Sequence, residues 1–510
     1  MKKWLFLLVS VFILWGCRTP TIISNNIELR KTFGNELTIL TTDSLKYNLK
    51  SYTIKDSSIL GEGIMYIANE EKNYSGEIMF SQIQFIQANK FNFKSIIAGG
   101  VIVTAITLLS NQFKKEINIH PNIVYTGPQG TGSSCPYILS RNGTDYQLEG
   151  EAFSIALGKS LEMTTTTILY NIGSEKDKEI KISNERTETH YFNKISVKSV
   201  EVPDNAYPVQ DLNNKVYPVY LLVSPISAVD KMNGKDVLAR ITSKDGNYWK
   251  SDLRGATKEK NFEDVMELQF KKEKNEGEIS LLLNAKNTFI ADVAFKQLGK
   301  YLDGDLLDFY NAIENDKEMI EIMRNYQQNT FLKIEIWEGN EWKKIGELFP
   351  EGNMVSFSRI VRFKIPIDNE RNIKVKLTTM ADVWEIDQVG IDFSETEQLE
   401  CRDIKELQVS KNDHLIHDET IEADLRYEYL IPGEEIKVEF KGDKEKQGSK
   451  RYFIAEVRGF LYEWISHPEE VKYRSVLQNK SRIELLKNVL SNQDLFRSLI
   501  YTEWKKERIK

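Results

Sequence analysis

Cysteine, proline and histidine are scarce in this sequence. The 510 residues include three cysteines, five histidines and 12 prolines, whereas tyrosine and phenylalanine number 22 and 24. A disulfide-rich scaffold is therefore excluded, because at most one bridge can form. Frequent aromatic residues and little proline favour β-rich structure.

An excess of basic residues is also missing. Lysine and arginine total 68 against 75 acidic residues, which gives a net charge of −7. This balance argues against a nucleic-acid partner, because binding phosphates requires a basic surface. Hydrophobic residues make up 41% of the chain and charged residues 28%, which is typical of globular domains with substantial cores.

The amino terminus is the most informative segment. Lys2 and Lys3 precede an almost unbroken apolar run from Trp4 to Trp15, and Leu14-Trp15-Gly16-Cys17 follows. This order predicts a signal peptide over residues 1–16. The last four residues resemble the lipobox of bacterial lipoproteins, which implies that Cys17 is acylated and becomes the first mature residue. The alternative is an ordinary signal peptide followed by a chance cysteine.

Lipidation predicts the location of the protein. Two or three acyl chains hold a protein firmly on a bilayer, since each buried methylene contributes about 0.8 kcal/mol. Arg18-Thr19-Pro20 follows Cys17 without an early acidic residue. In a Gram-negative bacterium this pattern predicts the outer membrane.

Several segments follow along the chain. Residues 17–34 are predicted to be a lipidated tether, and residues 35–94 a small β domain, barrel-like in form, because apolar and polar residues alternate there. Residues 95–116 are predicted to be a hydrophobic connector. Its run at 95–110 is shorter than a spanning helix requires, so it is either a buried core segment or a membrane-inserted one.

The remaining sequence contains an internal duplication. Five local matches occur in the same order in both copies and consist mainly of glycine, aromatic and aliphatic positions. The matched segments are 143–153 with 339–349, 179–182 with 372–375, 191–197 with 384–391, 245–248 with 424–427, and 265–277 with 436–448. We therefore predict a mainly β fold with two related β-sandwich-like units, at 117–288 and 331–466.

Two helical insertions complete the predicted fold. Apolar residues at helical spacing predict a helical hairpin at 289–330, between the two units, and a helical tail at 467–510.

Six aromatic residues at matched positions are candidates for ligand contact. If exposed, they would stack on sugar rings or peptide side chains, and if buried, they would form the sandwich cores. They are Tyr146, Tyr191 and Tyr248 in the first copy and Trp342, Trp384 and Tyr427 in the second.

Candidate chemistry is sparse. His414 and His417 are weak metal-ligand candidates, and an exposed loop is the alternative explanation for them. Glu151 and Glu347, with Asp145 and Glu341, are carboxylates of the kind that glycoside hydrolases use in pairs. An oxidising compartment would permit a disulfide between Cys135 and Cys401, and the alternative is two separate buried thiols. No cofactor motif is present: Gly158-Lys159-Ser160 lacks the upstream glycine of a phosphate-binding loop.

The segment 134–153, with its Cys-Pro-aromatic start and later Gly-Glu pair, resembles one found in uncharacterised bacterial envelope lipoproteins. Trp384-Glu-Ile-Asp387 and Arg451-Tyr-Phe453 are similar to elements of the same group. The resemblance covers about residues 134–460, implies a β-rich fold and implies no activity.

Three functional hypotheses follow. The first is a non-catalytic binding or scaffolding module for envelope protein or glycan partners, attached to the membrane by its lipid. The second is a metal-assisted or carboxylate-dependent hydrolase. The third is a membrane-assembly role in which residues 95–110 insert into the bilayer.

Overall fold

The structure is a computed structural model of the chain. It describes residues 18–21, 37–41, 45–55, 58–67, 70–79, 82–91, 136–186, 188–251, 262–291, 293–294, 307–367, 370–412, 414–415, 427–431, 433–442, 445–463 and 479–508. The chain divides into two compact units. The first comprises residues 1–130, 303–305 and 463–475, and the second comprises residues 131–302, 306–462 and 476–510.

The first unit contains one six-stranded antiparallel sheet with the order β1-β6-β2-β3-β4-β5. Its strands are β1 Arg18–Thr21, β2 Leu37–Thr41, β3 Lys46–Ile54, β4 Ser58–Ile67, β5 Glu70–Met79 and β6 Ile83–Phe91. The β prediction for this region is confirmed, but its barrel-like form is corrected. Within the residues described for this unit the sheet stays open, because β1 and β5 are its edges.

The described residues of the second unit include four sheets and four α-helices. Its strands are β7 Tyr137–Asn142, β8 Asp145–Glu151, β9 Met163–Leu169, β10 Asp177–Ser183, β11 Glu188–Pro203, β12 Tyr207–Asp211, β13 Val216–Val219, β14 Ser227–Asp230, β15 Lys235–Asp236, β16 Glu263–Lys271, β17 Glu278–Asn287, β18 Leu332–Glu338, β19 Glu341–Leu348, β20 Phe357–Lys364, β21 Asn372–Met380, β22 Trp384–Asp392, β23 Cys401–Asp403, β24 Leu407–Lys411, β25 His414–Leu415, β26 Glu428–Leu430, β27 Glu435–Lys441 and β28 Ser449–Glu463. The helices are α1 Leu307–Asn315, α2 Lys317–Gln328, α3 Asn479–Ser491 and α4 Gln493–Arg508.

These strands form two β-sandwich-like bodies, which we name the first and second sandwich. The first sandwich combines the sheet β25-β24-β27-β10-β7-β8 with the sheet β23-β11-β28-β9, and β26 also pairs with β11. The second sandwich combines the sheet β15-β14-β16-β21-β18-β19 with the sheet β13-β12-β20-β17-β22. The fold is thus mainly β with few helices, as the sequence predicts.

The two sandwiches have equivalent strand orders. Replacing β25, β24, β27, β10, β7 and β8 by β15, β14, β16, β21, β18 and β19 converts one six-stranded sheet into the other. In the facing sheets, the run β9-β28-β11 corresponds to β20-β17-β22. The sequence matches agree with these strand orders. The match of 179–182 with 372–375 joins β10 to β21, and the match of 191–197 with 384–391 joins β11 to β22. In both cases the two strands are equivalent.

The hairpin at the start of each copy repeats in detail. The β7–β8 register shifts between Ile138 and Leu139, and the β18–β19 register shifts between Ile334 and Glu335, 196 residues later in both cases. Gly143 and Gly339 occupy the two turns with φ of 64° and 74°, a backbone region that glycine adopts without strain. The same bulge and turn therefore occur in both sandwiches.

The assignment of strands to sandwiches differs from the predicted boundaries. The predicted unit 117–288 contributes β7–β11 to the first sandwich and β12–β17 to the second. The predicted unit 331–466 contributes β18–β22 to the second sandwich and β23–β28 to the first. Each sandwich therefore combines the first half of one copy with the second half of the other, an arrangement that we call the exchange of halves. The segment between 288 and 331 does not separate the sandwiches.

Side-chain alternation explains why this exchange is compatible with both sequences. Ile180 of β10 is paired with Val438 of β27, and the equivalent Val375 of β21 is paired with Leu268 of β16. All four side chains are buried. Because alternation fixes which face of a strand is buried but not which strand lies beside it, either copy of the second half fits either copy of the first.

The predicted helical segments are confirmed where the structure describes them. Asp316 caps α2 by accepting hydrogen bonds from the backbone N–H groups of Glu318 and Met319, at 3.0 and 3.3 Å. Lys487 of α3 lies 2.7 Å from carboxylate oxygens of both Asp316 and Glu318. These ion pairs attach the carboxyl-terminal helices to the α1–α2 hairpin.

The carboxyl-terminal helix α4 also packs on the second sandwich. The indole Nε1 of Trp504 donates to Asp382 Oδ2 at 2.5 Å, and the ring of Tyr501 stacks on Phe262 with centroids 5.3 Å apart. No helix within the described ranges is long and apolar enough to cross a membrane. The connector 95–116 lies outside those ranges.

The exchange of halves predicts a specific pattern of cross-linking. In a chain whose other cysteines are replaced by serine, Lys181→Cys with Lys437→Cys should form a disulfide or accept a short thiol cross-linker, because these residues are directly paired. The matched control is Lys181→Cys with Glu267→Cys, since Glu267 is the counterpart of Lys437 in the other copy. Gel mobility after oxidation measures both, and efficient cross-linking of the control pair alone would show that the copies fold separately.

Candidate functional site

The six predicted aromatic residues separate into two groups. Tyr191 and Trp384 are buried, at 7% and 0% exposure, on the equivalent strands β11 and β22. They belong to the cores, and Tyr191 stacks on Phe460 with ring centroids 4.8 Å apart. Tyr146, Tyr248, Trp342 and Tyr427 are half-buried and therefore remain candidates for ligand contact.

Each half-buried aromatic residue has a lysine ammonium close to its ring. Lys181 lies 4.5 Å from the ring centroid of Tyr146, and Lys376 lies 4.7 Å from that of Trp342. Lys181 and Lys376 occupy equivalent positions of β10 and β21, so this cation–π pair is repeated. Lys286 and Lys159 lie 4.9 and 5.0 Å from the rings of Tyr248 and Tyr427.

The two hairpin faces that carry the repeated pair have different surroundings. In the first sandwich Tyr146 and Leu148 pack against the buried Tyr137 and Leu139, together with Met354 of the second sandwich. The hydroxyl of Tyr146 donates to Glu179, which also lies 3.0 Å from Arg141. This hairpin face is therefore part of the contact between the sandwiches.

In the second sandwich the same face carries two tryptophans. Trp337 and Trp342 are directly paired across β18 and β19, and their rings meet edge to face with centroids 5.4 Å apart. Lys374 lies 5.9 Å from the ring of Trp337. The side chains of the neighbouring Lys333 and Lys344 are 43% and 48% exposed, so solvent reaches this face.

Trp337 was missing from the sequence prediction. Its counterpart in the first copy is Arg141. The candidates were chosen as positions that are aromatic in both copies, and this position is aromatic in only one. The directly opposed Trp337–Trp342 pair depends on strand register, although the short Gly339-Asn340 turn between them is a hairpin signal in the sequence.

The pKa values of the half-buried tyrosines reflect their surroundings. Burial, together with the charge of Glu162, raises the pKa of Tyr427 to about 12. Burial and the hydrogen bond to Glu179 also raise the pKa of Tyr146. Both phenols stay protonated at neutral pH and act as hydrogen-bond donors rather than as bases.

A second candidate site is a cavity of about 50 Å³ between the sandwiches, with room for roughly three or four waters. Its walls include three carboxylates, a guanidinium, an ammonium and a phenol. These side chains are Glu149, Glu151, Glu351, Arg359, Lys244 and Tyr170.

Arg359 of β20 connects the two sides of this cavity. Its Nη2 lies 2.7 Å from Glu351 Oε2 and donates to the backbone oxygen of Thr166, in β9 of the first sandwich, at 3.3 Å. Its Nη1 donates to Gln210 Oε1 at 3.0 Å. With 7% exposure, Arg359 is a buried cation whose partners come from both sandwiches.

The carboxylates of the cavity also have partners within the protein. Glu149 accepts hydrogen bonds from Ser140 Oγ at 2.5 Å, from the backbone N–H groups of Tyr170 and Asn171 at 3.0 and 2.7 Å, and from Asn171 Nδ2 at 3.1 Å. Burial raises the pKa of Glu149 despite these bonds. This arrangement is typical of a structural carboxylate.

Glu151 positions the loop that follows β19. Its Oε2 accepts a hydrogen bond from the backbone N–H of Met354 at 2.8 Å. A Cβ atom on Gly352 would lie 2.1 Å from the same oxygen, so only glycine permits this approach. Burial raises the pKa of Glu351, which is paired with Arg359.

The predicted carboxylate pair is not assembled into one site. Glu151 and Glu347 lie on equivalent strands of different sandwiches, and Glu347 forms an ion pair with Lys344. Asp145 and Glu341 are exposed beside the two hairpin turns. Glu149, Glu351 and Arg359 were missing from the prediction, since they come together only through the packing of the two sandwiches.

Metal and thiol candidates give little further chemistry. His414 is exposed on β25, and His417 lies outside the described residues. Within the described part of the chain, no group of three or more histidine, cysteine, aspartate or glutamate residues could hold a metal ion. Cys401 is half-buried with a free thiol, whose pKa burial raises. Cys17 and Cys135 lie outside the described residues.

One buried acid–base pair was also missing from the prediction. His190 Nε2 lies 2.5 Å from Glu188 Oε1, and the imidazole packs edge to face against Phe153 and Phe192. Glu188 is 1% exposed and His190 is 0% exposed. Because both side chains are enclosed by the first sandwich, the pair belongs to its core rather than to a substrate site.

Comparison with known proteins gives no family. No protein-family model and no curated protein matches the chain. An allantoicase structure aligns with 10% identity and a TM-score of 0.17, covering 44% of this chain and 80% of that one. An archaeal virus turret protein with a triple jelly roll aligns with 10% identity and a TM-score of 0.12, covering 66% and 91%. At these TM-scores, neither alignment bears on fold or function.

The buried position of Arg359 predicts a large effect of its removal. Arg359→Met should lower the free energy of unfolding by about 3–5 kcal/mol, because the Glu351 carboxylate would lose its partner. Combining it with Glu351→Met should restore part of the loss. Urea denaturation measures both effects. The control is Arg402→Met, whose arginine pairs with Glu400 at 60% and 76% side-chain exposure, so that its removal should change the free energy of unfolding little. Equal effects of Arg359→Met and Arg402→Met would contradict this assignment.

Proposed function

We propose that this protein is an acylated envelope lipoprotein whose double sandwich is a non-catalytic binding module for envelope glycans. The observation that supports it most directly is the half-buried Trp337–Trp342 pair with Lys374 and Lys376 close to its rings. The anchor rests on the sequence before Cys17.

The chemistry of the tryptophan face suits a sugar. Indole rings present broad apolar faces on which the C–H groups of a pyranose stack, and they lose little conformational entropy on binding. Around them, ammonium and carboxylate groups can exchange hydrogen bonds with hydroxyls. Lys376 lies 2.8 Å from Glu335, which also lies 2.8 Å from Lys333.

The difference between the two copies also supports a binding role for this face. In the first sandwich the equivalent face packs against Met354 of the second sandwich, whereas the face of Trp337 and Trp342 is bordered by exposed lysines. One copy thus uses this hairpin for an internal contact, and the other presents it to solvent.

The hydrolase alternative draws on the carboxylates between the sandwiches. Glycoside hydrolysis needs one carboxyl group free to donate a proton and a second one free to attack or to activate water. Here Glu149 accepts four hydrogen bonds and Glu351 is paired with Arg359. Because these hydrogen bonds and this ion pair already occupy the two carboxylates, a structural role for the cavity is favoured over catalysis.

The anchor predicts a change in fractionation. Cys17→Ser should move the protein from the membrane fraction to the soluble fraction, because acyl chains supply most of the attachment. Mass spectrometry of the native amino terminus should find an acylated Cys17. An uncut leader or an unmodified thiol would contradict the anchor without affecting the binding role.

The tryptophan face predicts a loss of glycan binding on mutation. Trp342→Ala and Trp337→Ala should each weaken binding to fractionated envelope glycans about tenfold or more, since a stacked aromatic ring contributes on the order of 1.5 kcal/mol. Isothermal titration calorimetry measures the affinity.

The control is Lys343→Ala, because Lys343 follows Trp342 on β19, is 58% exposed and points to the other side of the strand by alternation. Unchanged affinity in both tryptophan variants, or hydrolysis of the glycan by the purified protein, would contradict the proposal.

A further inference from the structure

Five connections of the second sandwich lie at the same end. β16 ends at Lys271 beside the start of β21 at Asn372, and β20 ends at Lys364 beside the start of β17 at Glu278. Ser227 at the start of β14 pairs with Gln269 near the end of β16. These directions bring together the connections 220–226, 272–277, 339–340, 365–371 and 393–400.

Three aliphatic side chains project from two of these connections. Ile367 is 96% exposed, Leu221 69% and Ile226 53%. Of the large apolar side chains in the described ranges, four are more than half exposed, and the fourth is Leu415 of the first sandwich at 76%. The clustering at one end is therefore a property of the second sandwich.

The first sandwich shows that the fold itself does not require this exposure. The backbone N–H of Val223 donates to the backbone oxygen of Ile391, and the backbone N–H of Ile404 donates to the backbone oxygen of Val197, the equivalent residue of β11. Val223 therefore corresponds to Ile404, and this aligns the connection 220–226 with the segment 401–407. On this alignment Leu221 and Ile226 correspond to Arg402 and Leu407. Arg402 is ion-paired and Leu407 is half-buried.

The third residue gives the same contrast. The connections 170–176 and 365–371 have the same length, so Ile367 corresponds to Ile172. Ile172 is half-buried. Three exposed aliphatic groups at one end, at positions where the first sandwich exposes no aliphatic group, point to a surface that covers them.

We propose that this end of the second sandwich inserts Leu221, Ile226 and Ile367 into the interfacial layer of a lipid bilayer. The choice of a bilayer rests on the proposed function, since an acyl anchor would hold the chain beside a membrane. A fluid lipid interface also adapts to side chains on separate loops, whereas a protein groove would have to be complementary to all three side chains at once.

The charges at this end define the kind of attraction. Lys272 donates to the backbone oxygen of Pro366 at 3.1 Å, and Arg362 is paired with Glu278. The exposed Glu370 lies 3.0 Å from Lys374. The described residues of these connections contain more carboxylates than cations, namely Glu273, Glu276, Glu370, Glu395, Glu397 and Glu400 against Lys272, Lys274 and Arg371. This end therefore has no net positive charge to attract an anionic bilayer, so the contact is mainly apolar and salt does not weaken it.

The contact has a consequence for the proposed glycan site. The turn between Trp337 and Trp342 belongs to the same end of the second sandwich. Insertion of the three aliphatic side chains would therefore bring the tryptophan face close to sugars carried by the membrane itself.

The test uses the full mature chain with Cys17→Ser, so that no acyl chain contributes. Co-sedimentation with vesicles of phosphatidylethanolamine and phosphatidylglycerol measures the partition coefficient. The triple variant Leu221→Asp, Ile226→Asp and Ile367→Asp should reduce it at least tenfold, and Ile367→Asp alone about threefold to tenfold. Leu415→Asp is the matched control and should leave it unchanged.

The outcomes are distinct. Salt-insensitive binding that the triple variant loses and the control keeps supports the proposal, provided that thermal unfolding of the variants is unchanged. Equal partitioning of wild type and triple variant, binding abolished by 0.5 M salt, or no binding of the wild type would overturn it. The anchor test at Cys17 is unaffected by any of these results.

Discussion

The antiparallel pairing of β10 with β27 is the interaction on which the rest of the second unit depends. It joins residues 177–183 to residues 435–441, so the first sandwich is completed only by strands from near the end of the chain. The pairing of β16 with β21 completes the second sandwich in the same way. Burying aliphatic side chains on both strands of each pair drives this arrangement, since each buried side chain contributes about 1.5–3 kcal/mol.

The exchange of halves also explains the contact between the sandwiches. The connection from β11 to β12 runs directly from one sandwich into the other, and β12 pairs in parallel with β20. Arg359 of β20 thereby comes beside Thr166 of β9, where Glu351 neutralises its charge. A buried guanidinium with partners on both sides fixes the relative position of two bodies more specifically than an apolar contact would, because its hydrogen bonds are directional.

Much of the local structure was predictable from the sequence. The matched segments identified equivalent strands, and the Gly143 and Gly339 turns were found directly. In one strand the match was offset, because Ile180 corresponds to Val375 rather than to Ile373 when the pairing registers are compared. Alternation explains that error: a shift by two residues keeps the same side chains on the buried face.

The partners of the strands were not predictable in the same way. A period of two specifies a buried face but does not distinguish β27 from β16 as the neighbour of β10. Trp337, Arg359 and Glu351 were missed for the same reason, since their roles arise from register and from the packing of the sandwiches. The connector 95–116, Cys17 and His417 lie outside the described residues, so their predictions stand on sequence alone.

Thermal unfolding of the fragments 131–302 and 303–510, separately and mixed, tests the exchange of halves most directly. Neither fragment contains a complete sandwich, so circular dichroism should show no cooperative transition for either one alone. An equimolar mixture should regain β structure and unfold cooperatively. A cooperative transition in each isolated fragment, unchanged by mixing, would contradict the account.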